Sequence, residues 1–190
     1  MADRFLVMGQ VFIANGTTTV DKLGRFTTDQ TITITGGAGN FTIYMTQGMS
    51  GTVTSGTAAI TGSVVNLSAG ANTLTAGGNG DCTLDVTIGT AANWNSVQSW
   101  SAASDGTGGA SVPTSAESAK FDANSFTGAS QVLTVDAVAN CLDMDWTGAT
   151  NAPTLSSPTT FSVNIYGSTV FISEMTISGP GLGGGRAINM

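Results

Sequence analysis

Thr31-Ile32-Thr33-Ile34-Thr35, Gly36-Gly37-Ala38-Gly39-Asn40, Phe41-Thr42-Ile43-Tyr44-Met45: this stretch alternates, turns and alternates again. A period of two puts every second side chain on the same face of a pleated strand, where β-branched and aromatic residues pack well. The glycines between the two runs supply the backbone freedom that a tight reversal requires. The pattern recurs outward along the chain. Leu84-Asp85-Val86-Thr87-Ile88, Leu133-Thr134-Val135-Asp136 and Phe161-Ser162-Val163-Asn164-Ile165 alternate in the same way. Ser68-Ala69-Gly70-Ala71-Asn72 and Gly77-Gly78-Asn79-Gly80-Asp81 read as further turns. Turn signals every ~8–12 residues mark a sandwich, a barrel or a solenoid. No window keeps apolar residues at helical spacing without a Gly or Thr breaking it. The expected fold is all-β: a glycine-rich β-sandwich or jelly-roll-like N-terminal part, then a β-sandwich or β-solenoid C-terminal part.

The texture of the chain changes near residue 90. Residues 1–90 read as short strands with tight glycine turns. Residues 91–128 carry Asn93-Trp94 and Ser99-Trp100, then Ser101 to Thr114 with almost no large apolar residue, and read as a crossover loop. Strands resume in a second β module over 129–178, and 179–190 form a glycine-rich C-terminal arm. Such an arm needs something to hold it, so it is expected to lie on a neighbouring subunit or partner, with Arg186, Ile188 and Met190 as anchors, the other reading being a tail folded onto its own domain.

Composition narrows the function. Charged residues are 9% of 190, and Gly, Ala, Ser and Thr together make about half of the chain. Twelve acidic residues against five basic ones give a net charge of −7, a poor match to nucleic-acid phosphates. The absence of histidine removes Ser-His-Asp and Cys-His catalysis, HExxH zinc sites and imidazole pH switches. Met1 to Met8 is too short for a signal-peptide core or a membrane span, and reads as a first strand. Cys82 and Cys141 are expected to be two separate buried thiols of a chain made in a reducing cytosol.

Few residues offer chemistry. Asp143 and Asp145 share one strand face, with Asp136 on a neighbouring segment. Paired carboxylates can bind a hard cation or act as a glycosidase pair. They also suit the polar outer face of a sheet whose inner face carries Leu142, Met144 and Trp146, and that reading fits the alternation better. Gly77 to Leu84 resembles one turn of a calcium-binding nonapeptide repeat, but Cys82 stands where the aspartate is needed and no second copy follows. Gly36 to Gly39 and Gly106 to Gly109 open no helix and lack a following Lys-Ser/Thr, so they are turns and not phosphate loops. Arg4, Lys22 and Arg25 form the one basic cluster, giving residues 1–26 a net +1, and could dock on an acidic surface. Trp94 and Trp100 either pin the loop to the β core or stack on a glycan, the former being favoured. No catalytic residue, metal or cofactor is expected.

Asn93-Trp94-Asn95-Ser96-Val97-Gln98-Ser99-Trp100-Ser101 leads through Gly108-Gly109-Ala110-Ser111-Val112-Pro113-Thr114 to Phe121-Asp122-Ala123-Asn124-Ser125. This succession resembles a segment recurrent in structural proteins of tailed bacteriophages and in related β-repeat proteins of bacterial genomes. Leu133 to Asp136 and Cys141 to Gly148 resemble that family's next two strands, and Met1-Ala2-Asp3-Arg4 is similar to its opening. The likeness covers roughly residues 93–178, with about ninety glycine-rich residues set between the opening and the tryptophan pair. It implies a virion structural protein, either capsid decoration or a fibre or tail component. The resulting expectation is non-enzymatic assembly on the particle as a homo-oligomer, most readily a trimer, beside proteins such as the major capsid protein. Neither nucleic acid nor membrane is an expected partner. The chain would be made in the host cytoplasm and end in the virion. Two other readings stay open: a carbohydrate-binding or glycan-cleaving host-recognition spike, using Trp94 or Trp100 with Asp143 and Asp145 on host surface glycan, and a bacterial surface adhesin or filament subunit.

Overall fold

The computed structural model describes residues 2–15, 19–36, 39–55, 59–60, 66–67, 70–77, 80–180 and 188–189. The described residues are all-β, with a single 3-10 turn at Val97–Ser99 and no α-helix. The chain starts with β1 (Ala2–Leu6), β2 (Gln10–Asn15), β3 (Thr19–Arg25), β4 (Gln30–Gly36) and β5 (Gly39–Met45). It continues with β6 (Met49–Ser55), β7 (Ala59–Ile60), β8 (Asn66–Leu67), β9 (Gly70–Gly77) and β10 (Gly80–Ile88). From β2 to β10 every pairing is antiparallel, in two sheets ordered β3-β2-β5-β9-β7 and β4-β10-β6-β8. The pairs nest: β4 with β10, β5 with β9, β6 with β8. A long hairpin folded over on itself pairs in this way.

Alternation sets the core between these sheets. Leu84 and Val86 are buried while Asp85 and Thr87 face solvent. Val11, Ile43 and Met45 from one sheet meet Met49, Leu84 and Val86 from the other in a single apolar cluster, with Ile13, Phe26, Ile32 and Ile88 packed around it. At Gly51 a Cβ would press on Leu84 and on Met45 of the opposite sheet, so a side chain there would wedge the layers apart.

The rest of the chain holds β11 (Ala91–Asn93), β12 (Trp100–Ser101), β13 (Glu117–Lys120), β14 (Val132–Thr134), β15 (Ala139–Cys141) and β16 (Met144–Asp145). After these come β17 (Thr154–Ser156), β18 (Val163–Ile165), β19 (Thr169–Val170), β20 (Thr176–Ser178) and β21 (Ile188–Asn189). Here the ladders run parallel. Leu133, Leu155 and Ile177 are register partners 22 residues apart, Asn140, Asn164 and Asn189 lie 24 and 25 apart, and Ala119, Met144 and Thr169 lie 25 apart. Each pass of the chain thus lays strands on three faces and drops to the next level, coil upon coil.

The interior of this stack is aromatic. Trp94, Trp100, Phe121, Phe126 and Trp146 are buried together with Leu133, Val135, Cys141, Met144, Leu155 and Val163. Phe121 stacks on Trp146 with centroids 3.8 Å apart, and Trp94 meets Trp100 edge to face at 5.0 Å. Such pairs add about 0.5–1.5 kcal/mol each beyond their buried area. Asn140 and Asn164 lie outside one ladder, Asn164 Nδ2 donating to Asn140 Oδ1 at 3.1 Å.

Two features differ from the sequence reading. The stretch read as a crossover loop, 91–128, contains β11, β12 and β13, because Trp94, Trp100 and Phe121 tie its small residues to the core. And β1 does not join the strands that follow it. It pairs in parallel with β13 and antiparallel with β12, so the chain begins in the coil stack, leaves it near Gly9 and returns near Gly89.

Candidate functional site

A concavity lies on the outer face of the β13-β16-β19 ladder. It is a shallow pocket of about 220 Å³, lined by Lys120, Asp143, Met144, Asp145, Ser168 and Val170. Its chemistry follows from alternation: Met144 and Trp146 point into the aromatic core, so Asp143 and Asp145 point out. The outer-face reading of this pair is therefore the one the structure adopts, although Leu142, expected on the inner face, is only partly buried and lies outside the aromatic cluster. Lys120 is the register partner of Asp145, and its Nζ lies 3.0 Å from Asp145 Oδ2.

Both carboxylates are already engaged. Asp143 accepts from Ser168 N–H at 2.7 Å and from the Ser118 hydroxyl at 2.9 Å. Those bonds, the Ser168 amide first, hold its carboxyl below the usual range. A Cβ at position 167 would collide with this carboxylate, so Gly167 is what lets it fold back onto the chain. For Asp145, burial opposes ionisation, but the hydroxyl and amide of Thr147 and the Lys120 ammonium outweigh it and keep the carboxyl low. The Asp145 hydrogen bond raises Lys120 in turn. A glycosidase pair needs one carboxyl raised toward neutrality to donate a proton, and neither of these is raised. Asp136 lies apart from them and accepts from the Asn95 amide and side chain at 3.0 and 3.2 Å. Among the described residues no three His, Cys, Asp or Glu side chains converge as metal ligands.

The other residues singled out from sequence are scattered. Trp94 and Trp100 are fully buried, with Trp100 Nε1 donating to Trp94 O at 2.7 Å, so neither offers a face to a glycan or to another subunit. Arg4 pairs with Glu117 and donates to Ser111 Oγ. Arg25 donates to Asn124 Oδ1 at 2.8 Å and to Phe126 O at 3.1 Å. Two of the three cations of that strip, Arg4 and Arg25, are thus engaged within the molecule, and burial lowers the pKa of the Arg25 guanidinium. The side chain of Lys22, together with Arg186 and Met190, lies outside the described residues. Ile188, expected on a neighbouring subunit, pairs instead with Val163 of its own chain and extends its own ladder. Cys141 is free and buried, its thiol pushed up to about 12 by desolvation, while the Cys82 side chain falls outside the described residues.

Sequence reasoning missed the far end of the stack. Ala92, Leu133 and Leu155 are buried at their rungs, yet their register partner Ile177 is 38% exposed. Val170 and Phe171 are exposed at the same end. The signal was present in Val132-Leu133-Thr134, Thr154-Leu155-Ser156 and Thr176-Ile177-Ser178, three like triplets at one spacing.

No family model matches the chain, and neither the curated proteins nor the solved structures contain a match to it.

Proposed function

We propose that this is a non-enzymatic structural protein of a phage-like particle, a capsid decoration or a fibre or tail component that works by assembly. One observation carries the reading: among the described residues, the last coil leaves apolar side chains exposed beside an unpaired strand edge. Among the described residues β19 and β20 end their ladders with one edge unpaired; beside them Ile177 is exposed where the preceding rungs bury Leu133 and Leu155, and Val170 and Phe171 are exposed as well. An unpaired edge flanked by apolar side chains is a surface that another chain stabilises by covering it. The chemistry of the pocket supports the same reading, since its aspartates are fixed in hydrogen bonds and neither is prepared to donate a proton.

Quantitative mass spectrometry of purified particles tests the proposal by giving this chain's copy number relative to the major coat protein. Hundreds of copies fit shell decoration, and a handful fit a fibre or tail component. Absence from particles, together with a monomer in light scattering at micromolar concentration, overturns it.

A further inference from the structure

We propose that residues 10–88 are an inserted module that separates from the coil stack and unfolds as its own cooperative unit, with the seam between them acting as a joint. Cooperative units follow contiguous apolar burial. The described buried apolar residues form two clusters that share no member: one holds Leu6, Met8 and the 92–165 core, the other only side chains between Val11 and Ile88, with Val7 and Phe12 buried outside both.

Apart from the approach of the Met8 methyl to Gly48, the contacts that join the two are mostly polar. Gln10 Nε2 donates to Asp105 Oδ1 at 2.6 Å, and Arg25 reaches Asn124 and Phe126. Gln47 Oε1 accepts from the Asn93 amide at 2.8 Å and the Ser99 hydroxyl at 2.7 Å, while Gln131 Nε2 donates to Gly89 O at 3.1 Å. Water replaces such bonds when a seam opens, so opening costs far less than exposing a core.

Both crossings of the chain are built from glycine. Gly9 has φ +67°, and a Cβ there would run into the Thr127 side chain. Gly89 packs on Gly48, donating its N–H to Gly48 O, with no room for a Cβ. On the stack side of each crossing the backbone is anchored, Val7 N–H to Ser99 O and Val132 N–H to Thr90 O. The joint therefore lies between two held ends, and the stack stays closed when the module leaves it.

The full chain carries its own reporter, because Trp94, Trp100 and Trp146 all sit in the stack core. A urea titration would follow their fluorescence beside hydrogen–deuterium exchange of peptides spanning β4, β6 and β10. The expected result is loss of exchange protection in those strands at urea concentrations that leave the tryptophan signal native. Arg25→Ala should lower protection in the module by about tenfold without moving the fluorescence midpoint. Coincident transitions in the wild-type chain overturn the proposal, as does an Arg25→Ala variant that shifts both signals together or neither.

Discussion

In the 10–88 module β4, β5 and β6 are seven residues long and β10 is nine, and each pairs antiparallel. In the coil stack most strands are two or three residues long, and all but β12 pair in parallel. The same Thr-, Ser- and Gly-rich composition serves both. A long strand can fix its register alone, since a slip by one residue would turn Leu84 and Val86 outward and Asp85 inward. A strand of two or three residues has too little alternation for that. Its register comes from what stacks above and below it: rings inside the coil and asparagines outside it.

Trp100→Ala attacks the comparison most directly. It removes a buried ring in contact with Trp94 and Phe121 and leaves Trp94 O without its indole donor, so a loss of about 3–5 kcal/mol in the stack is expected. Chemical denaturation with exchange detection would place that loss in the coils and spare β4 and β10. Leu84→Ala should do the reverse, costing about 2–5 kcal/mol within the module. If either variant weakened both regions equally, the two would be one unit.

Asn164→Ala sharpens the contrast at lower amplitude. It deletes the bond to Asn140 and should cost about 0.5–1.5 kcal/mol, read as a shift in the stack's urea midpoint. The smallest effects belong to the outer pocket. Lys120→Met should change stability by no more than about 1 kcal/mol at neutral pH, as both partners of its ion pair are partly exposed. Acid is the sharper probe there. Asp143 and Asp145 titrate lower folded than unfolded, so their contribution is complete above about pH 5 and is lost as pH falls through the folded values. Asp143→Asn should flatten that acid limb in a pH series of thermal melts, while the module's own transition keeps its shape.

Legibility divides along the same line. Thr31–Thr35, Phe41–Met45 and Leu84–Ile88 fall inside β4, β5 and β10, because antiparallel strands with one buried face write their period into the sequence. In the stack, Leu133–Asp136 and Phe161–Ile165 overlap β14 and β18 but overrun them, since the chain turns a corner after three residues. The repeat itself is a spacing and not a word. Asn140, Asn164 and Asn189 are alike, but the residues between them are not, and corners of unequal length blur the period. The outer-face place of the aspartate pair is legible from its alternation with Met144 and Trp146, whereas Lys120 and Ser168 come to it from other coils and leave no local trace. That Arg4 and Arg25 are spent inside the molecule was likewise beyond reach, their partners lying about a hundred residues away.

The uniform register of the coils makes length a free variable. Each level touches only the one above and the one below, so a whole pass of 22 to 25 residues can be duplicated or lost without redesigning its neighbours. Every duplication adds one strand spacing, about 4.8 Å, to the stack. Tandem copying could therefore set reach in even steps, as on a ruler graduated in coils, with the 10–88 module riding unchanged at one end.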